Sequence, residues 1–285
     1  MEPSTPSIKK LKSIGELLRF SLINIDKPTG PTSFTISDFI RKSLNLKKTS
    51  HFGTLDPNTS GVLPIALSHA CRLNEYFAHR DKIYVGIMRI HKDIEQEELE
   101  KNMKKFTGKI LQLPPVRSRV KRALREREVK SFKILEKEGK DVLFIAEVEA
   151  GTYIRKLCDD LGKLIGGAHM LELRRTKASI FTEEDSINLY QLEEAAEEYK
   201  KGKAEKLRSI LIPAESCILK VMPEIQIKSS SLKQIIIGKP LMKGDITNNL
   251  PQDETFAIFH NNTFIGIYKK SNEKDIIARP EFVFN

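Results

Sequence analysis

Apolar residues recur along this chain in two periods, and the switches between them mark out its elements. Ile36, Phe39, Ile40 and Leu44 stand at helical spacing within 35–46, with Thr35 and Asp38 placed as a capping pair. Residues 83–90 alternate as a strand does. Asp93 then stands where it can cap a helix carrying Leu99, Met103 and Phe106, with Gly108 to end it. Further strands are expected over 129–135, 142–148 and 173–180, and a helix over 154–165. Strands and helices interspersed without strict βαβ alternation predict an α+β domain.

The pattern changes character towards the C-terminus. Residues 188–201 read as a charged helix, with Gln191 completing a cap and Gly202 stopping it, and 203–208 are highly polar. A boundary is expected near 205–215. Beyond it, 224–228 alternates like a strand, 232–237 suggests a short helix ending at Gly238, and 255–260 and 263–269 flank Asn261-Asn262 as a hairpin. The division is therefore an N-terminal arm over 1–20, a larger domain over 21–212 and a small β-rich domain over 213–285. The arm begins polar and turns amphipathic through Leu11, Ile14, Leu17 and Leu18, so Met1 to Lys10 are expected to be disordered.

With 285 residues, 40% of them hydrophobic, the chain can bury a substantial core. Its 48 Lys and Arg against 38 Asp and Glu give a net charge of +10 and a pI near 9.3, which favours a polyanionic partner. The charge is concentrated: Arg117, Arg119, Lys121, Arg122, Arg125 and Arg127 face a single acid, Glu126, within eleven residues. That density points to phosphate. Cys71, Cys158 and Cys217 are too few and too scattered for a disulfide framework or a cysteine-based zinc site, which suits a reducing compartment. Residues 1–20 lack the apolar core of a signal peptide, and no run approaches the ~18 apolar residues of a membrane span, so a soluble, cytoplasmic protein is expected. Neither a Walker motif, a dinucleotide fingerprint nor the His-x-Glu and Cys-x-x-Cys pair of a zinc deaminase occurs, and no nucleotide or metal cofactor is expected.

The candidate chemistry lies in 51–64. Gly53 and Gly61 bracket a stretch free to take positive φ, and Pro57 biases Asp56 away from helical geometry. An isolated Asp-Pro of this kind commonly folds as an Asx-turn. Here, however, Gly53-Thr54-Leu55-Asp56-Pro57 and Gly61-Val62-Leu63-Pro64 follow Asn24-Ile25-Asp26-Lys27-Pro28-Thr29-Gly30-Pro31-Thr32-Ser33. These linked elements resemble the TruB branch of RNA pseudouridine synthases, at that family's spacing.

The resemblance implies an α+β catalytic domain built on a mixed or antiparallel sheet, acting on uridine in RNA without a cofactor. It makes Asp56 the catalytic carboxylate, as nucleophile or as base. Val148-Glu149-Ala150-Gly151-Thr152-Tyr153-Ile154-Arg155 resembles the element in which the arginine pairs with that aspartate and the tyrosine helps form the pocket. Tyr84, in Lys82-Ile83-Tyr84, matches the tyrosine that stacks on the flipped base and assists proton removal from C5. Leu173 matches an apolar pocket residue, and His51 a histidine that helps open the RNA loop. Lys27, Lys47, Lys48, Arg174 and Arg175 are candidates for the RNA-facing surface.

Leu113-Pro114-Pro115-Val116-Arg117-Ser118-Arg119-Val120-Lys121-Arg122 resembles the dyskerin-like branch, as do Ser13–Leu18 and Arg279–Phe284 the archaeal members. That branch implies a box H/ACA ribonucleoprotein, with a guide RNA choosing a uridine in rRNA or tRNA and small partner proteins completing the enzyme. The tail, with Gly238-Lys239-Pro240-Leu241 and Phe264-Ile265-Gly266-Ile267, resembles a PUA domain, a small β-barrel-like RNA-binding appendage. A stand-alone tRNA pseudouridine synthase and an RNA-binding assembly scaffold are the alternatives.

Overall fold

The structure, a computed structural model, describes residues 5–114 and 121–284. Pro115 to Val120, with Arg117 and Arg119 of the basic segment, lie outside the described residues. The chain opens with helices α1 (Thr5–Leu11) and α2 (Ile14–Arg19) and enters strand β1 (Ser21–Lys27). Helix α3 (Ser33–Ser43) leads to β2 (Thr49–His51) and β3 (Thr59–Leu67), and then α4 (Asn74–Ala78) to β4 (Lys82–Ile90). Next come α5 (Gln96–Lys104), β5 (Gly108–Gln112), β6 (Arg125–Glu138) and β7 (Asp141–Val148). Helix α6 (Ile154–Ile165) crosses to β8 (Ala168–Ala178) and β9 (Phe181–Thr182), followed by α7 (Leu189–Lys200), α8 (Glu205–Ile210) and β10 (Ile212–Pro213).

These strands form one sheet in the order β10-β1-β3-β8-β4-β7-β6-β5, with β2 added to β3 and β9 to β8. All pairings are antiparallel except β3 with β8, which run parallel, so the sheet is mixed as expected of the fold. Period-two burial sorts its strands: on β3, Leu63, Ile65 and Leu67 face one core, whereas Val62 and Ala66 face another. Ile36 and Ile40 of α3 and Leu192, Ala195 and Ala196 of α7 cover the first. Helices α5 and α6 cover the other half of the sheet through Leu99, Met103, Leu157, Cys158 and Leu161.

The C-terminal unit adds α9 (Ala214–Ile218), β11 (Glu224–Gln226), α10 (Leu232–Ile235), β12 (Leu241–Met242), β13 (Thr255–His260), β14 (Thr263–Lys270) and β15 (Ile276–Val283). Its five strands, ordered β11-β13-β14-β15-β12, curl into a half-barrel around Ile225, Ile235, Phe256, Ile258 and Tyr268. Alternate residues Ala257 and Phe259 point the other way, into the core shared with the large sheet. There Phe20 stacks on Phe264, with centroids 5.3 Å apart.

Several expectations are corrected. Residues from Thr5 form a helix, where disorder through Lys10 was expected: Ile8 is buried, and Arg208 donates to the carbonyls of Lys9 and Lys12. Thr32, not Thr35, caps α3, and Asp38 pairs instead with Arg41 and Lys42 one turn on. Asp93 does not cap α5, which starts after Glu95; Asp93 binds Lys137. The strand expected from Leu173 begins at Ala168. Part of the polar 203–208 run folds as α8 because Leu207 is fully buried and Lys206 pairs with Glu194 and Glu198 of α7. Among the described residues no helix is long and apolar enough to cross a membrane.

Candidate active site

The loop between β2 and β3 carries Asp56, and its backbone is held from several directions. Ser33 Oγ donates to Leu55 O (2.9 Å) and accepts from Leu55 N–H (2.8 Å), so one hydroxyl secures both backbone groups of the residue before Asp56. Gly30 N–H and the Lys27 ammonium both donate to Pro57 O, at 2.9 and 3.1 Å. Arg175 donates through Nη2 to Gly53 O (3.0 Å) and through Nε to Val62 O (2.8 Å). Lys27, Gly30 and Ser33 of the upstream element therefore clamp the loop, together with Arg175. Gly61, at φ +101°, lets β8 pass close by: a Cβ there would sit 2.2 Å from Arg175 O.

The clamped backbone leaves the Asp56 side chain projecting, and its Oδ2 accepts from Arg155 Nη2 in an ion pair. Arg155 stands in the first turn of α6, where the helix dipole disfavours a cation, and the carboxylate offsets that cost. The start of α6 is itself fixed by buried Gln112, which accepts from Tyr153 N–H (3.0 Å) and donates to Tyr153 O (3.2 Å). Both partners of the Asp56–Arg155 pair remain more than half exposed, at 59% and 53%. The pair is thus accessible to a ligand.

Tyr84 reaches the same region through the sheet. Strand register places Lys27, Gly61, Arg175 and Tyr84 side by side across β1, β3, β8 and β4. The Tyr84 side chain is the partner of the Arg175 guanidinium, and its ring packs where the two helix-covered cores meet. Tyr84, Arg175, Gly53 and the Asp56 loop thus form one connected set.

Lys27 and Arg175 were expected on the RNA-facing surface, but they are 0% and 1% exposed. Lys27 donates to Pro28 O and Pro57 O and Arg175 to Gly53 O and Val62 O, so each supports the Asp56 loop from beneath. Burial lowers the pKa of both, with the Asp56 charge acting in the opposite sense on Lys27. Arg174 is half-exposed and held by Asp26 (2.9 and 3.1 Å) and Glu183 (2.8 Å). Leu173 is buried against Gly86, where any Cβ would come within 2.9 Å of it. His51 is half-buried with Nε2 3.1 Å from Thr54 Oγ1, and burial followed by Arg175 lowers its pKa. Tyr153 is half-buried beside Arg155, and Lys47 and Lys48 are exposed. Arg127 lies over Gly151, while Lys121 and Arg122 are exposed.

Besides Gln112, two side chains carried no role in the sequence reading. Ser33 is one, though it ends the quoted element. The other is Lys82, buried beneath Gly53 and donating to Ala78 O (2.5 Å) and to Arg80 O, its pKa lowered to about 8 by burial and then by Arg175. Among the described residues no cluster of three or more His, Cys, Asp or Glu side chains could hold a metal ion.

The model of the TruB family pseudouridylate synthase (N terminal domain) matches residues 41–154, and that of the tRNA pseudouridylate synthase B C-terminal domain matches 155–219. The chain is 43% identical over 249 residues to the protein named Probable tRNA pseudouridine synthase B of Archaeoglobus fulgidus, covering 86% of this chain and 76% of that one. The protein of the same name from Methanopyrus kandleri is 43% identical over 232 residues, 81% of this chain and 68% of that one. The crystal structure of a Cbf5-Nop10-Gar1 complex superposes with a TM-score of 0.88 at 38% identity, covering 97% of this chain and 88% of that chain. The structure of an H/ACA RNP bound to a substrate RNA containing 2′-deoxyuridine gives 0.87 at 35% identity, with 97% and 89% covered. With sequence and fold agreeing over nearly the whole chain, this protein belongs to the TruB family and is a pseudouridine synthase, an isomerase.

Proposed function

We propose that this chain isomerises specific uridines to pseudouridine in rRNA or tRNA as the catalytic subunit of a guide-RNA ribonucleoprotein, with Asp56 as the reacting carboxylate. The observation that carries the site is the Asp56–Arg155 ion pair, formed across 99 residues of chain at the open end of a clamped loop. In the reaction the N1–C1′ bond breaks, the base turns and a C5–C1′ bond forms. The proton on C5 leaves and N1 gains one, so the change is an isomerisation with no redox step. Asp56 starts it as nucleophile at the sugar or as base. Arg155 orients the carboxylate, Tyr84 supports the turned base, and His51, Tyr153 and Leu173 bound the pocket. A stacked uridine costs a few kcal/mol to extrude, which stacking and phosphate contacts offset.

The guided assignment is supported by the match to Cbf5 in complexes with Nop10 and Gar1, and in an H/ACA particle bound to substrate RNA. By analogy, partners of that kind and a guide RNA complete the enzyme. In this reading residues 21–212 perform the chemistry, 213–285 hold RNA in the manner of a PUA domain, and residues 8–20 of the arm brace the two. The three buried, unpaired cysteines accord with a reducing, cytoplasmic setting. The name shared by the curated relatives favours a second reading, direct action on tRNA without a guide.

Tritium release from RNA labelled at uridine C5 tests both, comparing wild type with Asp56→Asn, with and without guide RNA and partner proteins. Release only in the assembled mixture, and none from Asp56→Asn, is expected. Release by the protein alone indicates the stand-alone enzyme. Equal activity of the variant removes Asp56 from the chemistry.

A further inference from the structure

Phe34, next in the chain to the Ser33 that clamps the Asp56 loop, stands in water, 73% exposed, with no polar atom to justify the position. Of the aromatic side chains in the described residues, it and Tyr190 alone are large apolar groups left open to solvent, and Tyr190 carries a hydroxyl. Phe34 is also firmly placed. The residue before it, Ser33, is bonded to both backbone groups of Leu55. One turn further along α3, Ser37 Oγ donates to Thr49 Oγ1 (2.9 Å), which in turn donates to Ser37 O (2.8 Å).

These two anchors fix where the ring lies. Helix α3 descends from Leu55 to Thr49 while β2 and the loop ascend from Thr49 to Leu55, so the two segments run side by side in opposite directions. Positions 34 and 37 share one helix edge, and Ser37 shows that this edge faces β2. Phe34 is about 4.5 Å further up the helix. Two strand residues up from Thr49, about 6.6 Å, is His51. The ring therefore stands on the flank of α3 beside the segment that climbs from Thr49 to Leu55, the residue before Asp56.

We propose that Phe34 is a stacking residue for substrate RNA: its ring carries the base of a nucleotide next to the target uridine while that uridine is turned out towards Asp56. The inference rests on the reading that Asp56 is the reacting carboxylate. Extruding one base strips its neighbour of a stacking partner, and an open aromatic ring carried on the anchored helix beside the reacting loop replaces it. The residue positions RNA and takes no part in bond changes.

The test uses the protein assembled with guide RNA and partner proteins, and a substrate RNA with 2-aminopurine on one or the other side of the target uridine. Phe34→Ala, Phe34→Leu and Phe34→Trp are compared with wild type for KM, for maximal single-turnover tritium release and for 2-aminopurine quenching. Loss of a stacking contact predicts KM raised roughly 5- to 150-fold in Phe34→Ala. Maximal release should change little, quenching should be lost at one neighbour, and Phe34→Trp but not Phe34→Leu should restore both readouts. Unchanged KM and quenching in Phe34→Ala, or full rescue by Phe34→Leu, overturns the proposal. So does weakened protein-partner assembly with RNA binding intact, which assigns the ring to a protein contact. If Asp56→Asn remains active while the Phe34 effects appear, the catalytic assignment fails and the stacking site stands. If Asp56→Asn is inactive and Phe34→Ala behaves as wild type, only the stacking site fails.

Discussion

Replacing Ser33 by alanine removes one oxygen and leaves two backbone groups of Leu55 without partners. Leu55 is 3% exposed and Ser33 1%, so water cannot simply take over. An orphaned buried donor or acceptor costs about 1–3 kcal/mol, so with two orphaned the variant should lose about 2–6 kcal/mol of stability. Lys27, Gly30 and Arg175 still hold the loop at Pro57 and Gly53, and the protein should fold. Asp56 follows Leu55 directly, however, and a displacement of about 1 Å at a reacting group can lower the rate roughly 100-fold. Ser33→Ala is therefore expected to reduce single-turnover tritium release by about 10- to 100-fold with little change in KM. Urea unfolding should show a lower midpoint at an unchanged slope. Lost stability with a wild-type maximal rate would refute the idea that this clamp sets the position of Asp56. Wild-type values for both would refute the two bonds themselves.

Arg155→Met should cost less than about 1 kcal/mol of stability, because both members of the pair are largely solvated, yet slow release by roughly 100-fold; a wild-type rate would remove Arg155 from the site. Gly61→Ala forces a Cβ against Arg175 O at a positive φ, and overpacking of about 1–3 kcal/mol plus about 1–2 for the backbone predicts a loss of about 2–5 kcal/mol by urea unfolding. An unchanged midpoint would show that β3 and β8 are not in such close contact. Lys82 titrates at about 8 in the folded protein against an ordinary 10.5, since burial and Arg175 disfavour its charge. The unfolded chain therefore binds more protons between pH 8 and 10.5, and this group's contribution to stability rises with pH across that window. The unfolding free energy of wild type minus that of Lys82→Met should climb by up to about 3 kcal/mol from pH 8 to 10.5, and a flat difference would refute the burial of the ammonium there.

Wherever local physics acts alone, the chain was legible. Gln191 and Asn188 form the expected capping box, and the strand expected over 83–90 forms as β4. So does the hairpin around Asn261-Asn262, whose Asn261 takes the positive φ that such a turn requires. The failures are cases in which an ion pair or a buried contact outbid the expected local role. Asp38 and Asp93 both looked like caps and were drawn off to ion pairs, Asp38 by Arg41 and Lys42 one turn on and Asp93 by Lys137 of β6. The arm is too polar to predict as helix until Arg208 and the pocket for Ile8 come into view.

The sequence by itself determined that a carboxylate sits in a glycine-bracketed turn, that an arginine and two tyrosines accompany it, and that the family is one of RNA uridine isomerases. It could not say which cations face RNA, since Lys27, Arg174 and Arg175 are equally polar as letters. Only the tertiary structure separated them: strand register carries Lys27 and Arg175 beneath the loop, where both donate to backbone carbonyls, and leaves Arg174 half-exposed between two acids. The physical reason is that burial and hydrogen-bond satisfaction are properties of a place in the fold, set by residues as far apart as Lys27 and Arg175.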